Sequence, residues 1–256
     1  MIDYLNPTGV FLKFSTISSG DIFGSIVFLL QFILKLVIST KGIVFIAVLL
    51  LAASLIIGLV FSGYFGMVNN VLEGRPKIKG EFSAGFRKYF GRVFLMSFIL
   101  LLFSILFVLF MLIASVPALV ITKAAFAGKP GLYVTTVLVD LITVSVLFFG
   151  FMFFRIYMSF WYPATISYGK RAFTIGKRTA DAFFWGLVRR FLAIDIVFIL
   201  SQVIFINIGG SLAVFAVKWA FYTIFFTFLV TYVFALFSSI TALNNKKNRV
   251  KEDDDE

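Results

Sequence analysis

Long apolar runs, separated by short basic segments, constrain this chain more than anything else in it. A helix needs about 20 mainly apolar residues to cross roughly 30 Å of hydrocarbon. Such runs recur at residues 22–38, 43–67, 93–116, 132–160, 191–214 and 217–243. They are too long and too uniformly apolar for barrel strands, which alternate over about ten residues. The pattern predicts an all-α fold, a polytopic transmembrane helical bundle of about six spans. One transmembrane domain covers 1–243, and a charged tail, 244–256, is expected to be disordered and solvated. The run at 22–38 is the shortest and carries Gln31 and Lys35. It either spans with Lys35 snorkelling outward or lies as a re-entrant or interfacial helix. The run at 132–160 is long enough to tilt.

Composition removes the alternatives. Apolar residues make up 61% of the chain, against about 45–50% in soluble domains. Charged residues are 14%, against roughly 25%. Lipid is the simplest solvent for that balance. Cysteine and histidine are both absent, which excludes disulfides, thiolate chemistry, the commonest general base and the commonest transition-metal ligand. No cofactor or metal is expected, and the chain does not read as an enzyme. Residues 1–21 are mixed and polar, and the first apolar run ends without a small-residue cleavage pattern, so no cleaved signal is expected.

The net charge of +11 would suit nucleic acid, but the cations lie beside apolar runs. There they set topology and meet anionic lipid. Segment 68–92 holds Arg75, Lys77, Lys79, Arg87, Lys88 and Arg92, and segment 161–190 holds Lys170, Arg171, Lys177, Arg178, Arg189 and Arg190. The tail adds Lys246, Lys247, Arg249 and Lys251, while the intervening loops hold only Lys41, Lys123, Lys129 and Lys218. The alternation places the rich segments in the cytoplasm of a cell with a multi-pass protein in its plasma membrane. With six spans both termini are cytoplasmic; with five, the N-terminus lies outside.

Both basic segments carry helical periodicity. Phe82, Phe86, Phe90 and Phe94 recur at spacing four, and Phe173, Ala180, Phe184, Leu187 and Phe191 share one face of a second helix. Each predicts a cytoplasmic amphipathic helix at the interface that leads into a span. Phe82-Ser83-Ala84-Gly85-Phe86-Arg87 and Phe173-Thr174-Ile175-Gly176-Lys177-Arg178 share the pattern F-x-x-G-x-R, which points to a same-direction internal duplication. These helices either terminate hairpins and anchor the protein, or bind anionic lipid or a partner.

The stretch Gly63-Tyr64, then Asn70-Val71-Leu72-Glu73-Gly74-Arg75-Pro76, then Gly85 to Phe90, together with Tyr162-Pro163-Ala164 and Gly169 to Arg190, resembles a broad group of six-helix bacterial and archaeal membrane proteins. That group includes the membrane domain fused to some glycerophosphodiester phosphodiesterases. The resemblance covers about residues 20–240. It implies a six-helix bundle with cytoplasmic amphipathic helices. It does not imply phosphodiesterase activity, which in such fusions belongs to a separate soluble domain. The chain departs from the group's Arg-Ser at Lys177-Arg178-Thr179.

Charges at membrane depth cost about 2.5–3.5 kcal/mol or more and are functional candidates by default. Asp140, Arg155, Asp195 and Lys35 stand out. Arg155 and Asp195 fall at one depth on consecutive helices, which predicts a pair. Asp140 stands about 22 Å from Arg155 along the same helix; Thr135, Thr136, Gln202 and Asn207 are its candidate hydrogen-bond donors. Gly209-Gly210-Ser211 lacks the Lys-Ser/Thr ending of a phosphate loop. Gly58, Gly63 and Gly66 suit close helix contact, although their spacing is not that of small residues every four positions.

Two main functions follow. One is a non-enzymatic accessory or scaffold subunit, or a lipid-interacting bundle. It would use Arg87, Lys88, Arg92, Lys170, Arg171, Lys177, Arg178, Arg189 and Arg190 against anionic phospholipid, a membrane-protein partner or a second copy. The alternative is a transporter or channel for a small solute, ion or lipid, lined by Asp140, Arg155, Asp195 and Gln202. A third, an intramembrane enzyme, lacks paired carboxylates or a Ser–Lys arrangement at one depth.

Overall fold

The computed structural model describes residues 38–127, 130–208 and 212–254, together with 31, 33 and 35. Among these residues it is all-helical, with no strand. The helices are α1 (Thr40–Leu72), α2 (Glu81–Phe126), α3 (Tyr133–Tyr168), α4 (Ala172–Ala182), α5 (Phe184–Asn207) and α6 (Leu212–Asp254). Short 3-10 turns, Pro130–Leu132 and Gly169–Arg171, precede α3 and α4. Five of the described helices, all but α4, are long and apolar enough to cross a membrane. The expected span at 22–38 falls almost wholly outside the described residues.

Several expected boundaries move. The segment 79–94, expected as an amphipathic helix, and the expected span 93–116 form one helix, α2. The run 93–116 was expected to end before Pro117, a helix-stopping residue by local rules, but Pro117 lies inside the helix, as Pro163 does in α3. Proline removes one donor from the ladder, yet long apolar helices tolerate it where neighbours satisfy the freed carbonyl. The second segment expected as one amphipathic helix is divided: Phe173 and Ala180 lie on α4, while Phe184, Leu187 and Phe191 lie on α5, beyond a break at Phe183, whose backbone is non-helical (φ −134°, ψ 23°). The fifth span was expected to reach 214, but α5 ends at Asn207 and α6 begins at Leu212. The backbone of α6 continues through most of the expected disordered tail. A helix already nucleated in an apolar run propagates cheaply into adjoining polar residues.

The turn after α1 explains part of the Asn70–Pro76 motif. Gly74 takes φ +66°. Its N–H donates to the Val71 carbonyl at 3.1 Å, and the Arg75 N–H donates to the Asn70 carbonyl at 3.0 Å. This is the six-to-one and five-to-two bonding of a Schellman end, which requires a left-handed residue. Beyond it, the Asn70 amide donates to Glu81 at 2.8 Å, tying the end of α1 to the start of α2.

The chain divides into two compact units. One comprises Leu101–Gly150 with the described chain up to Ala53; the other comprises Ser54–Leu100 and Phe151 onward. α1, α2 and α3 each run from one unit into the other. The second unit holds two buried clusters. In the first, Ile156, Phe160 and Ala164 of α3 meet Met96 and Leu100 of α2, Leu187 and Phe191 of α5, and Phe237 of α6. In the second, Phe65 and Val68 of α1 pack with Tyr89 and Val93 of α2, Ile166 of α3 and Phe234 of α6.

Contact between α1 and α2 rests on small residues. A methyl group at Gly66 would lie 3.0 Å from Gly85 Cα, and one at Gly58 would lie 3.2 Å from Phe94 Cβ. The glycines alone do not show the regular pattern. Ser54 and Ser62, both fully buried, complete it: Ser54, Gly58, Ser62 and Gly66 form a ladder at four-residue spacing. Such ladders let helix backbones approach in lipid, where no hydrophobic force drives helices together.

Candidate functional site

Arg155 of α3 and Asp195 of α5 form the expected ion pair. Their side chains are only 20% and 24% exposed. The Arg155 guanidinium also lies over the buried Phe191 ring, 4.9 Å from its centroid. Removed from bulk water, the pair holds both charges in one place by hydrogen bonding and by the ring face.

A neighbouring contact was not anticipated. The Tyr157 hydroxyl donates to Asp181 of α4, and Phe153 stacks on Phe184 at 4.5 Å. α3 therefore grips the chain on both sides of the Phe183 break, through Asp181 before it and Asp195 after it. Tyr162 of α3 reaches the fully buried Ser97 of α2 at 2.9 Å. In the sequence Tyr162 stands out only as part of a motif, and Asp181 does not stand out at all. Helix periodicity does not show which tyrosine hydroxyl turns inward.

Asp140 takes a partner outside its expected donors. The Thr122 hydroxyl of α2 lies 3.1 Å from both carboxylate oxygens. Thr122 was overlooked because the third span was expected to end at Pro117. Three of the four expected donors are engaged elsewhere. Thr136 donates to the Leu132 carbonyl at 2.9 Å and Asn207 to the Val203 carbonyl at 2.7 Å. Gln202 accepts from the Tyr222 hydroxyl at 2.6 Å, which links α5 to α6. Asp140 belongs to one unit; Arg155, Asp195 and Gln202 belong to the other. Lys35 is exposed, and its carbonyl accepts the Ser39 N–H at 3.1 Å.

The basic segments show an imbalance of charge. Arg87, Lys88, Arg92, Arg171, Lys177, Arg178, Arg189 and Arg190 are all exposed. None of these side chains has a carboxylate or hydrogen-bond partner among the described residues; Lys88 lies over the ring of its neighbour Tyr89. The acids nearby are already taken. Glu73 holds Arg75 at 2.5 Å and Asn69 at 2.7 Å, Glu81 holds Asn70, and Asp181 holds Tyr157. Arg92 leans against the end of α3, its Nη1 3.2 Å from where a side chain on Gly169 would begin. Gly169 is left-handed, with φ +59°. Glycine there meets both the backbone requirement and the space Arg92 needs. The side chain of Lys170 lies outside the described residues. Among the described residues no three Asp or Glu side chains converge as a metal would require.

The fold and these residues define a class: an all-helical chain whose long apolar helices are compatible with a multi-pass membrane protein. No particular relative follows, for the chain matches no family model, no curated protein and no solved structure.

Proposed function

We propose that this is a multi-pass protein of the cell membrane that works by binding rather than catalysis. It is a lipid-interacting or accessory subunit whose basic segments, on the cytoplasmic side, engage anionic phospholipid. With six spans both termini are cytoplasmic. The observation that carries this reading is the set of exposed Arg and Lys side chains left without counter-ions while every nearby acid is engaged. Each such cation beside an anionic leaflet contributes about 1 kcal/mol, over a range set by the Debye length. The resemblance to the six-helix group fits this reading, since the phosphodiesterase activity of such fusions belongs to a separate soluble domain.

The test is lipid mass spectrometry on the full chain, purified in mild detergent from mixed phosphatidylglycerol and phosphatidylcholine membranes. Enrichment of phosphatidylglycerol that falls as salt rises supports the proposal. A retained lipid pool matching the bulk composition at low salt sinks it.

A second reading, transport of a small solute or ion, draws on Asp140, an ionisable group well inside an apolar helix with one hydroxyl partner. Proteoliposome flux that is present in the natural chain and lost in Asp140→Asn would move the assignment there.

A further inference from the structure

The repeated F-x-x-G-x-R pattern proves to be a repeated packing arrangement. A single sequence shift aligns Phe82 with Phe173, Gly85 with Gly176 and Arg87 with Arg178. The same shift superimposes buried positions further along: Tyr89 on Ala180, Met96 on Leu187, and Leu100 on Phe191.

Both glycines meet the helix that precedes them. A methyl group at Gly85 would lie 3.1 Å from the Gly63 carbonyl oxygen of α1. One at Gly176 would lie 2.9 Å from Trp161 Cδ1 and 3.4 Å from the Phe160 carbonyl oxygen of α3. The motif phenylalanine covers the same contact in each copy. The Phe82 ring comes within 2.6 Å of where a Gly63 side chain would begin, and Phe173 meets Trp161 edge-on at 4.7 Å.

This fixes where each arginine points. At 3.6 residues per turn, two positions beyond the glycine is about 200° round the helix. With the glycine pressed onto the preceding helix, the arginine is turned to the opposite face. Arg87 and Arg178 are both exposed, as that geometry requires, and neither has an anionic partner among the described residues.

We infer that Arg87 and Arg178 are the centres of two equivalent sites, one per repeat, each binding the phosphodiester of one anionic phospholipid headgroup. The inference rests on the lipid-binding reading above. A guanidinium suits the site because its planar fork pairs bidentately with phosphate oxygens, which a lysine ammonium does not. The lipid is preferred to free phosphate as the source because both arginines lie on or beside helices suited to crossing a membrane.

The test is native mass spectrometry of the full chain in detergent, titrated with dioleoyl-phosphatidylglycerol and, separately, dioleoyl-phosphatidylcholine. The natural chain should retain two phosphatidylglycerol molecules selectively. Arg87→Ala and Arg178→Ala should each retain one, and the double variant none. Arg→Lys at either position should weaken retention without abolishing it, and Lys218→Ala should leave the count at two. Elution and helicity matching the natural chain qualify each variant. Three outcomes overturn the inference: a double variant that still retains two, a single variant that loses both, or inorganic phosphate displacing the lipid at equal concentration. If the natural chain shows no preference for phosphatidylglycerol, the lipid-binding reading fails as well. If the preference persists unchanged in the double variant, only the two-site inference fails.

Discussion

The two compact units are made of the same kind of apolar helix, yet they are held differently. The unit formed by Ser54–Leu100 and Phe151 onward has two buried clusters. It also has side-chain links between helices at Arg155–Asp195, Tyr157–Asp181, Ser97–Tyr162 and Gln202–Tyr222. In the other unit the buried apolar residues among those described are Leu50, Ala118 and Ala125. There Thr122 reaches Asp140 across α2 and α3. The difference follows from the solvent. Lipid is as apolar as leucine, so apolar side chains gain little by leaving it. Helices adhere where backbones approach closely or polar groups meet. The unit formed by Ser54–Leu100 and Phe151 onward has both devices, and the basic segments belong to it.

The sharpest way to break the comparison is to remove the ion pair. Arg155→Ala or Asp195→Ala leaves one charge stranded in a poorly hydrated site, which should cost about 3 kcal/mol. Folded yield and thermal unfolding in detergent should fall for either single variant. The charge-swapped R155D/D195R should recover most of the loss. A swapped protein no better than the singles would mean that the two residues contribute separately, and that the unit is held by its apolar clusters alone.

Glycines give the next largest contrast. Gly85→Leu forces a side chain against the backbone of α1 and should cost about 1–3 kcal/mol by overpacking. Gly91→Leu lies on the same helix, at a position where the first side-chain carbon would meet nothing within 4 Å. Gly150→Ala, in the other unit, meets only Phe107 at 3.7 Å. Neither should destabilise the chain, and each should gain up to about 1 kcal/mol because glycine is the poorer helix former. Equal losses at Gly85 and Gly91 would show that close approach to α1 does not set the cost, since leucine is the better helix former at both positions.

How much of this was legible in the sequence depended on the range of the signal. The five expected spans that fall within the described residues each lie on a helix long and apolar enough to cross a membrane, because such a run is a local property of about 20 residues. The Arg155–Asp195 pair was also legible, since one depth on consecutive helices is nearly a spatial constraint. The ends of the helices were not. Pro117 reads as a stop by local rules, and only the surrounding apolar chain carries the helix past it. That one misreading hid Thr122 and left Asp140 without a partner. The small-residue ladder was missed because glycine alone was counted. Ser54 and Ser62 are small enough to serve, but serine in an apolar run reads first as a hydrogen-bonding residue. The Tyr157–Asp181 contact depends on the break at Phe183, which no proline announces.

Asp140→Asn should have the smallest effect, and it bears most directly on what the loosely packed unit is for. α3 begins at Tyr133, so Asp140 lies about 10 Å into the helix. Asparagine keeps the shape and an acceptor for the Thr122 hydroxyl but cannot ionise. Hydrogen bonds between helices in lipid average about 0.6 kcal/mol, so the expected change in thermal unfolding is within about 0.5 kcal/mol of zero. Asp195→Asn, by contrast, should lose much of what Asp195→Ala loses, because Arg155 is left without its counter-charge. If Asp140→Asn instead destabilises the chain as much as Asp195→Asn, a cation must meet that carboxylate. The difference between the units would then lie in where each ion pair sits, not in whether one exists.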